Sequence, residues 1–333
     1  MRKVQSRWNW GILVSVTNMA EIPSLSSIVE ARGAISGFAI RTPLVRLNVA
    51  DLPAEIYLKL ENLQPIGSFK IRGAANAMSL IPADQLKRGV LTASAGNMAQ
   101  GVAWMAREHG VACTVIAPDT APEAKLKAIE RLGARTILVS FDEWWRTFER
   151  RAYPGVEGIY IHAFDDLAVM AGNGTIALEI LEDLPDIDAV VVPWGGGGLT
   201  CGIGAALRAL RPDCRIYAAE VSTAAPLKAS IANGSLQTID YRPSFVDGIG
   251  GKSVFPSMFD RATQLIDDSL IAGRDEVSSA LRLIAERNRV IAEGAGACPV
   301  ACALAGRAGP GKVVCIISGG NIDLSKLCGI LTQ

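Results

Sequence analysis

DAVVVPWGGGGLTCGIGAALRAL, from Asp188 to Leu210, has a three-part pattern that commits the chain to one architecture. The apolar run around Val190, Val191 and Val192 reads as a strand buried on both faces. Four glycines follow, and from Leu199 the apolar residues take helical spacing. Strand, glycine turn and helix in that order form the unit from which open α/β sheets are built. Gly195, Gly196, Gly197 and Gly198 let the backbone turn sharply. They also leave several N–H groups bare at a helix N-terminus, where the helix dipole favours an anion. The turn is therefore a candidate phosphate cradle, with a tight turn that holds no ligand as the alternative. It matches neither common nucleotide fingerprint: Cys201 stands where a dinucleotide-binding turn has its third glycine or alanine, and there is no Gly-Lys-Ser/Thr.

Outward from this unit the alternation continues. The runs IYLKLE, GVLTAS, CTVIAP, RTILVS, GIYIH, RIYAAE and KVVCIIS read as further strands. Between them, helical spacing runs from Met98 to His109, Pro122 to Gly133, Thr175 to Asp183, Leu199 to Leu210 and Asp275 to Glu286. The class is α/β with parallel sheets. At 333 residues the chain has room for two domains. Composition marks no boundary between them.

Charge and composition narrow the function. Lys+Arg number 33 and Asp+Glu number 33, so no basic field invites nucleic acid, and a small neutral or zwitterionic ligand fits better. The seven cysteines lie in apolar stretches without a CxxC pair, as expected of reduced core cysteines in a cytoplasmic protein. With only His109 and His162 present, histidine is not the expected base and an HExxH metal site is excluded. No apolar span of transmembrane length follows the N-terminus, so no membrane partner is expected. Residues 1–18 read as a disordered extension ahead of Met19, better than as a signal peptide.

Two more polar turns follow strands, Ser94 to Asn97 (SAGN) and Ser318 to Asn321 (SGGN), where an open α/β sheet binds ligands. A lysine stands out in QPIGSFKIRGAANA, Gln64 to Ala77. Gly67 and Ser68 can open a helix there, placing Lys70 in its first turn, where the positive end of the dipole disfavours an ammonium ion. A lysine kept as a free amine suits Schiff-base formation or proton abstraction. Alone, Lys70 reads more readily as a solvated surface lysine; beside a phosphate cradle and the polar turns it points to pyridoxal phosphate.

These motifs together resemble the fold-type II pyridoxal-phosphate enzymes, and within them the serine/threonine dehydratase and serine racemase family. The resemblance runs from Ile28 to Asp323 through RTPL, LKLENLQ, GSFKIRGA, TASAGN, FDD..V.AG.GTI.LEI, VVVP.GGGGL and SGGN. It implies a tryptophan synthase β-like fold of two three-layer α/β domains with the cofactor in the cleft between them. Residues 1–88 and 166–333 would form the large domain, and 89–165 a small mobile one. It makes Lys70 the imine lysine and α-proton base, with Phe69 beside the cofactor ring and Gly248 on its other face. Asn97 would meet the phenolic oxygen, Gly195 to Gly198 with Leu199 the phosphate, and Ser318 the pyridine nitrogen. Ser68, Ser94, Ala95, Gly96, Asn97 and Met98 would hold the amino-acid substrate. A homodimer or homotetramer is the expected assembly.

The implied reaction converts a β-hydroxy-L-amino acid, threonine or serine, through an aminoacrylate to a 2-oxo acid and ammonia. Ala95 stands where racemases carry a proton-donating serine, which disfavours racemisation. Met98, in place of a common histidine, and Trp145, near a racemase arginine, suggest an apolar pocket that admits phenylserine; ordinary core variation is the other reading. Glu220 and Ala224 match a cation site of the family, yet Pro226 replaces its further carboxylate. A divalent metal is therefore not expected, and at most a weak or monovalent ion. The regulatory domain that isoleucine-sensitive relatives carry after SGGN is not expected, and a catabolic role is the simpler expectation. A β-replacement enzyme, a racemase and a non-catalytic carrier of pyridoxal phosphate remain the alternatives.

Overall fold

The computed structural model describes residues 20–332, so the expectation for residues 1–18 lies outside them. Its strands are β1 (Leu44–Arg46), β2 (Glu55–Lys59), β3 (Val90–Ala93), β4 (Cys113–Pro118) and β5 (Arg135–Val139), followed by β6 (Ile159–Tyr160), β7 (Ala189–Pro193), β8 (Arg215–Val221), β9 (Asp268–Ala272) and β10 (Lys312–Ile316). They form a six-stranded sheet in the order β1-β2-β10-β7-β8-β9 and a four-stranded sheet in the order β5-β4-β3-β6. Every pairing is parallel except that of β1 with β2.

The valine run behaves as its composition demands. Every residue of β7 is buried. Val191 faces one apolar cluster with Val313 and Cys315, while Val190 and Val192 face another with Val314 and Ile316. Alternate side chains thus meet helices on both faces, which is why the strand carries no polar residue. β1 and β9 lie outside the runs read as strands. Both are edges of the large sheet and only partly buried, so neither needs a continuous apolar run.

Helix Lys70–Ser79 packs into a third cluster, under the four-stranded sheet. There Ile71, Ala74, Ala75 and Met78 meet Val90, Ala93 and Val115. Residues from Ile71 through Met78 are all buried, and full burial of Ile71 or Met78 contributes roughly 1.5–3 kcal/mol. Against this helix lies helix Leu167–Asp183, which starts at Leu167 and not at Thr175. Its cap is Asp166, whose Oδ1 accepts from the N–H groups of Ala168 and Val169 at 2.8 and 3.2 Å. The glycines of AGNG, which look like helix breakers in sequence, serve close packing. A Cβ on Gly172 would stand 2.4 Å from the Arg72 carbonyl oxygen, so tertiary contact overrides propensity here.

β7 and β10 are neighbours in the large sheet and β3 is central in the small one. Their carboxyl ends carry the glycine turn, the SGGN turn and the SAGN turn, and all three open on one cleft.

Candidate active site

The cleft encloses about 600 Å³. Phe69, Lys70, Ser94 to Met98, Gly195 to Leu199, Gly248 and Ser318 line it. Of the residues singled out from the sequence, Ser68, Glu220, Ala224 and Trp145 are not in its wall.

Lys70 is the first residue of its helix, and its Nζ donates to the Ala163 carbonyl at 2.7 Å. Its pKa is lowered to about 8, chiefly by burial, with the Glu293 carboxylate opposing the shift. The direction agrees with the expectation from the helix dipole; the cause is loss of water. At pH 7 about a tenth of Lys70 is then a free amine, against far less than a hundredth for an ordinary lysine.

The glycine turn is shaped by contact. Gly197 has φ +89, a conformation side chains rarely adopt, and a Cβ on Gly196 would stand 2.1 Å from the Phe164 ring. Helix Gly198–Leu210 starts with Gly197 as its N-cap and no side-chain cap. Its first N–H groups lack intrahelical partners and sit in the cleft wall, a ready seat for a phosphate. Behind the wall, Ser68 Oγ is buried without a hydrogen-bond partner, whereas Ser318, 3% exposed, reaches the cavity. A bare helix N-terminus, an amine and a cleft-wall hydroxyl fit the phosphate, the aldehyde carbon and the ring nitrogen of pyridoxal phosphate.

Asn97 opens helix Asn97–His109 and is held at both ends of its amide. Its Nδ2 donates to Glu293 Oε1 at 2.8 Å, and its Oδ1 accepts from Asn321 Nδ2 at 2.8 Å. In the same turn Ser94 Oγ accepts from the Gly96 N–H at 3.2 Å, so that hydroxyl fixes the loop. Glu293 is the principal residue that sequence reasoning missed. Its carboxyl is raised to about 7, first by burial and then by Asp247, against the pull of Lys125, Asn97 and Lys70. The signal was present: one acid sits ahead of the apolar helix Gly294–Leu304, where burial is otherwise complete from Gly294 to Ala303.

The apolar side of the cleft holds Met98, Trp144, Phe148 and Phe164, with Tyr241 also in the wall. Trp144 meets Phe148 edge-on at 4.8 Å and Phe148 stacks with Phe164 at 5.9 Å. Here the sequence expectation is off by one residue. Trp145 turns away, donating Nε1 to Glu149 at 3.0 Å and packing on Phe255. At the mouth, Lys125 and Asp247 pair at 2.7 Å.

Glu220 serves another purpose. Its Oε1 accepts from the Leu227 N–H at 2.9 Å, and its Oε2 from the Lys228 N–H at 2.8 Å and the Ser269 hydroxyl at 2.6 Å. The carboxylate therefore seats helix Pro226–Asn233, with Pro226 at its start supplying no side-chain oxygen. Ala224 is buried nearby. No cluster of three or more metal-ligating side chains occurs among the described residues.

The LKLENLQ and SFKIRGA blocks contain charges with no place in the cleft. They build a buried quartet: Arg72 pairs with Glu61 at 2.8 Å and with Glu179 at 2.6 Å, and Lys59 pairs with Glu179 at 2.6 Å. Burial opposes ionisation of Glu61, yet Arg72 outweighs it and holds that carboxyl below its usual range. Two cations and two anions balance, which makes burial tolerable. The quartet fixes the Lys70 helix to β2 and to helix Leu167–Asp183.

Comparison with known proteins agrees with this geometry. A family model described as pyridoxal-phosphate dependent enzyme matches residues 35–319. Over 315 residues the chain is 38% identical to the L-threonine ammonia-lyase of Thermotoga maritima, covering 93% of this chain and 78% of that protein. Over 322 residues it is 36% identical to a catabolic L-threonine dehydratase of Staphylococcus aureus, covering 94% of this chain and 93% of that one. Among solved structures, the serine racemase of Dictyostelium discoideum superimposes with a TM-score of 0.81 at 32% identity, over 90% of this chain and 99% of that one. Among the described residues, no helix is long and apolar enough to cross a membrane.

Proposed function

Because this chain belongs to the pyridoxal-phosphate dependent enzyme family, we propose that it is a dehydratase converting L-threonine or L-serine to the 2-oxo acid and ammonia. The observation that carries the proposal is Lys70: a buried amine with its pKa lowered to about 8, opposite a glycine turn in a cleft where Ala95 offers only a methyl group. The 38% identity with an L-threonine ammonia-lyase and the 36% identity with a catabolic L-threonine dehydratase, each over most of the chain, support it.

When bound, pyridoxal phosphate supplies the electron sink that makes the α-hydrogen of the amino acid acidic. The N–H groups from Gly195 to Leu199 would hold its phosphate, Ser318 its ring nitrogen and Asn97 its phenolic oxygen. A neutral serine at the ring nitrogen makes a milder sink than a carboxylate partner, which suits elimination. The turn from Ser94 to Asn97 holds the substrate carboxylate at the start of a helix. Lys70 removes the α-proton. Ala95 cannot deliver one to the opposite face, so dehydration is favoured over racemisation.

The aromatic wall supports a second reading of substrate range. Met98, Trp144 and Phe148 present apolar surface to the cleft, and an aromatic β-hydroxy amino acid such as phenylserine fits it better than hydroxyaspartate. The unit around β3 to β6 would close over the substrate, with Lys125 and Asp247 as its latch. A cytoplasmic homodimer or homotetramer is part of the same proposal, supported by the family resemblance.

The test is a panel of L- and D-serine, threonine, phenylserine and hydroxyaspartate, scored for 2-oxo acid and ammonia. Turnover of L-threonine or L-serine without added nucleophile is expected. Product formed only with added thiol or indole would make this a β-replacement enzyme, and inverted amino acid without ammonia would make it a racemase.

A further inference from the structure

We propose that Asn321 is a positioning residue that sets which end of the Asn97 amide faces the cofactor. The inference rests on Asn97 being the partner of the cofactor's phenolic oxygen. Asn321 does not line the cleft, so it acts through Asn97.

The orientation follows from counting donors and acceptors. Asn321 Nδ2 carries two hydrogens, and both have acceptors: the Ile66 carbonyl at 2.9 Å and Asn97 Oδ1 at 2.8 Å. Reversing the Asn321 amide would bring its oxygen against two groups that only accept. Asn97 Oδ1 is thereby fixed on the Asn321 side, so Asn97 Nδ2 lies opposite and gives one hydrogen to Glu293 Oε1 at 2.8 Å. Its second hydrogen is left for an acceptor in the cleft. A phenolic oxygen that carries negative charge is such an acceptor; the reversed amide would turn a lone pair toward it.

Asn321 also touches the turn that delivers Lys70. The two turns are zipped by Phe69 N–H to Ser318 O at 3.0 Å and Gly320 N–H to Gly67 O at 2.9 Å. Gly67 makes room, since a Cβ there would stand 2.6 Å from Asn321 Oδ1. One amide therefore registers the segments that carry Lys70, Asn97 and Ser318.

The experiment compares Asn321→Ala, Asn321→Asp, Asn97→Ala and the Asn97→Ala/Asn321→Ala double variant. The readouts are the pH titration of the visible cofactor band and the dissociation constant for re-added pyridoxal phosphate, alongside kcat. Each single variant should shift the titration and weaken cofactor binding by about tenfold, as expected for loss of one buried hydrogen bond to a charged group. In the band titration the double variant should match Asn97→Ala alone, because Asn321 reaches the phenolic oxygen only through Asn97. Wild-type titration and affinity in the Asn321 variants would overturn the proposal, as would effects that add in full. If Asn97→Ala itself titrates as wild type, the assignment of Asn97 has failed and the proposal with it. Asn321→Asp is isosteric and carries the same test if the alanine variant does not fold.

Discussion

Asn97 and Glu293 share a hydrogen bond of 2.8 Å, joining the SAGN turn to a carboxyl buried beside the cleft. The contact gives Glu293 a measurable signature, because burial raises its pKa from 4.5 to about 7. The folded chain binds this proton more tightly than the unfolded chain does. The stability that Glu293 contributes is full below its unfolded value and is lost as pH rises through about 7. In the apoenzyme, the stability of wild type relative to Glu293→Gln should fall by about 3 kcal/mol across that window. Denaturant titrations at several pH values check this, and parallel profiles for the two proteins would refute it.

Lys70→Ala should abolish both the visible imine band and ammonia release, because Lys125, the other described lysine in the cleft wall, is paired with Asp247 at 2.7 Å. Absorbance before and after borohydride, with an ammonia assay, reads both. Retention of a reducible band would move the imine to another lysine.

Ala95→Ser restores a hydroxyl beside the cleft without rebuilding its surroundings. Chiral chromatography of L-serine incubations should show, at most, a trace of D-serine, with ammonia release still dominant. Inversion at a rate rivalling elimination would mean that the methyl group alone had suppressed racemisation.

Gly196→Ala places a Cβ about where the Phe164 ring already lies, 2.1 Å away. The turn must shift, and cofactor stoichiometry after purification should drop sharply. Gly33→Ala, with nothing within 4 Å of the added atom, should load normally and controls for a general effect of replacing glycine.

Arg72→Met leaves Glu61 and Glu179 buried with Lys59 as their one remaining cation. The loss of stability should be about 3–5 kcal/mol by chemical denaturation. Arg41→Ala, which removes the half-exposed pairs with Glu182 and Asp183, should cost less than about 1 kcal/mol.

Much of the fold was legible because interior parallel strands must be apolar on both faces; β7 and β10 announce themselves for that reason. The edge strands β1 and β9 have weaker signals. Helix Leu167–Asp183 reads short in sequence because Gly172 and Gly174 serve two neighbouring helices, at Arg72 and at Gly202, a tertiary fact with no local trace. In the site, Lys70 and the three turns were found because each turn follows a strand. The Trp144 and Trp145 pair misled because adjacent residues on a helix differ by about 100° in direction, and only packing tells which one faces inward. Lys125 and Asp247 lie 122 positions apart, so nothing in the sequence near either one points to the other.

The pairing of β2 with β10, Ile56 against Val313, has a consequence for synthesis. An early strand of the large sheet waits for one of the last, whereas β3 to β6 lie close together in sequence and can associate while the ribosome is still at work. Lys70 is thus translated long before Ser318, which lines the same cleft. A chain that stops before β10 lacks the SGGN turn and Ser318, so the wall of the cleft is completed only when the final strand has been made.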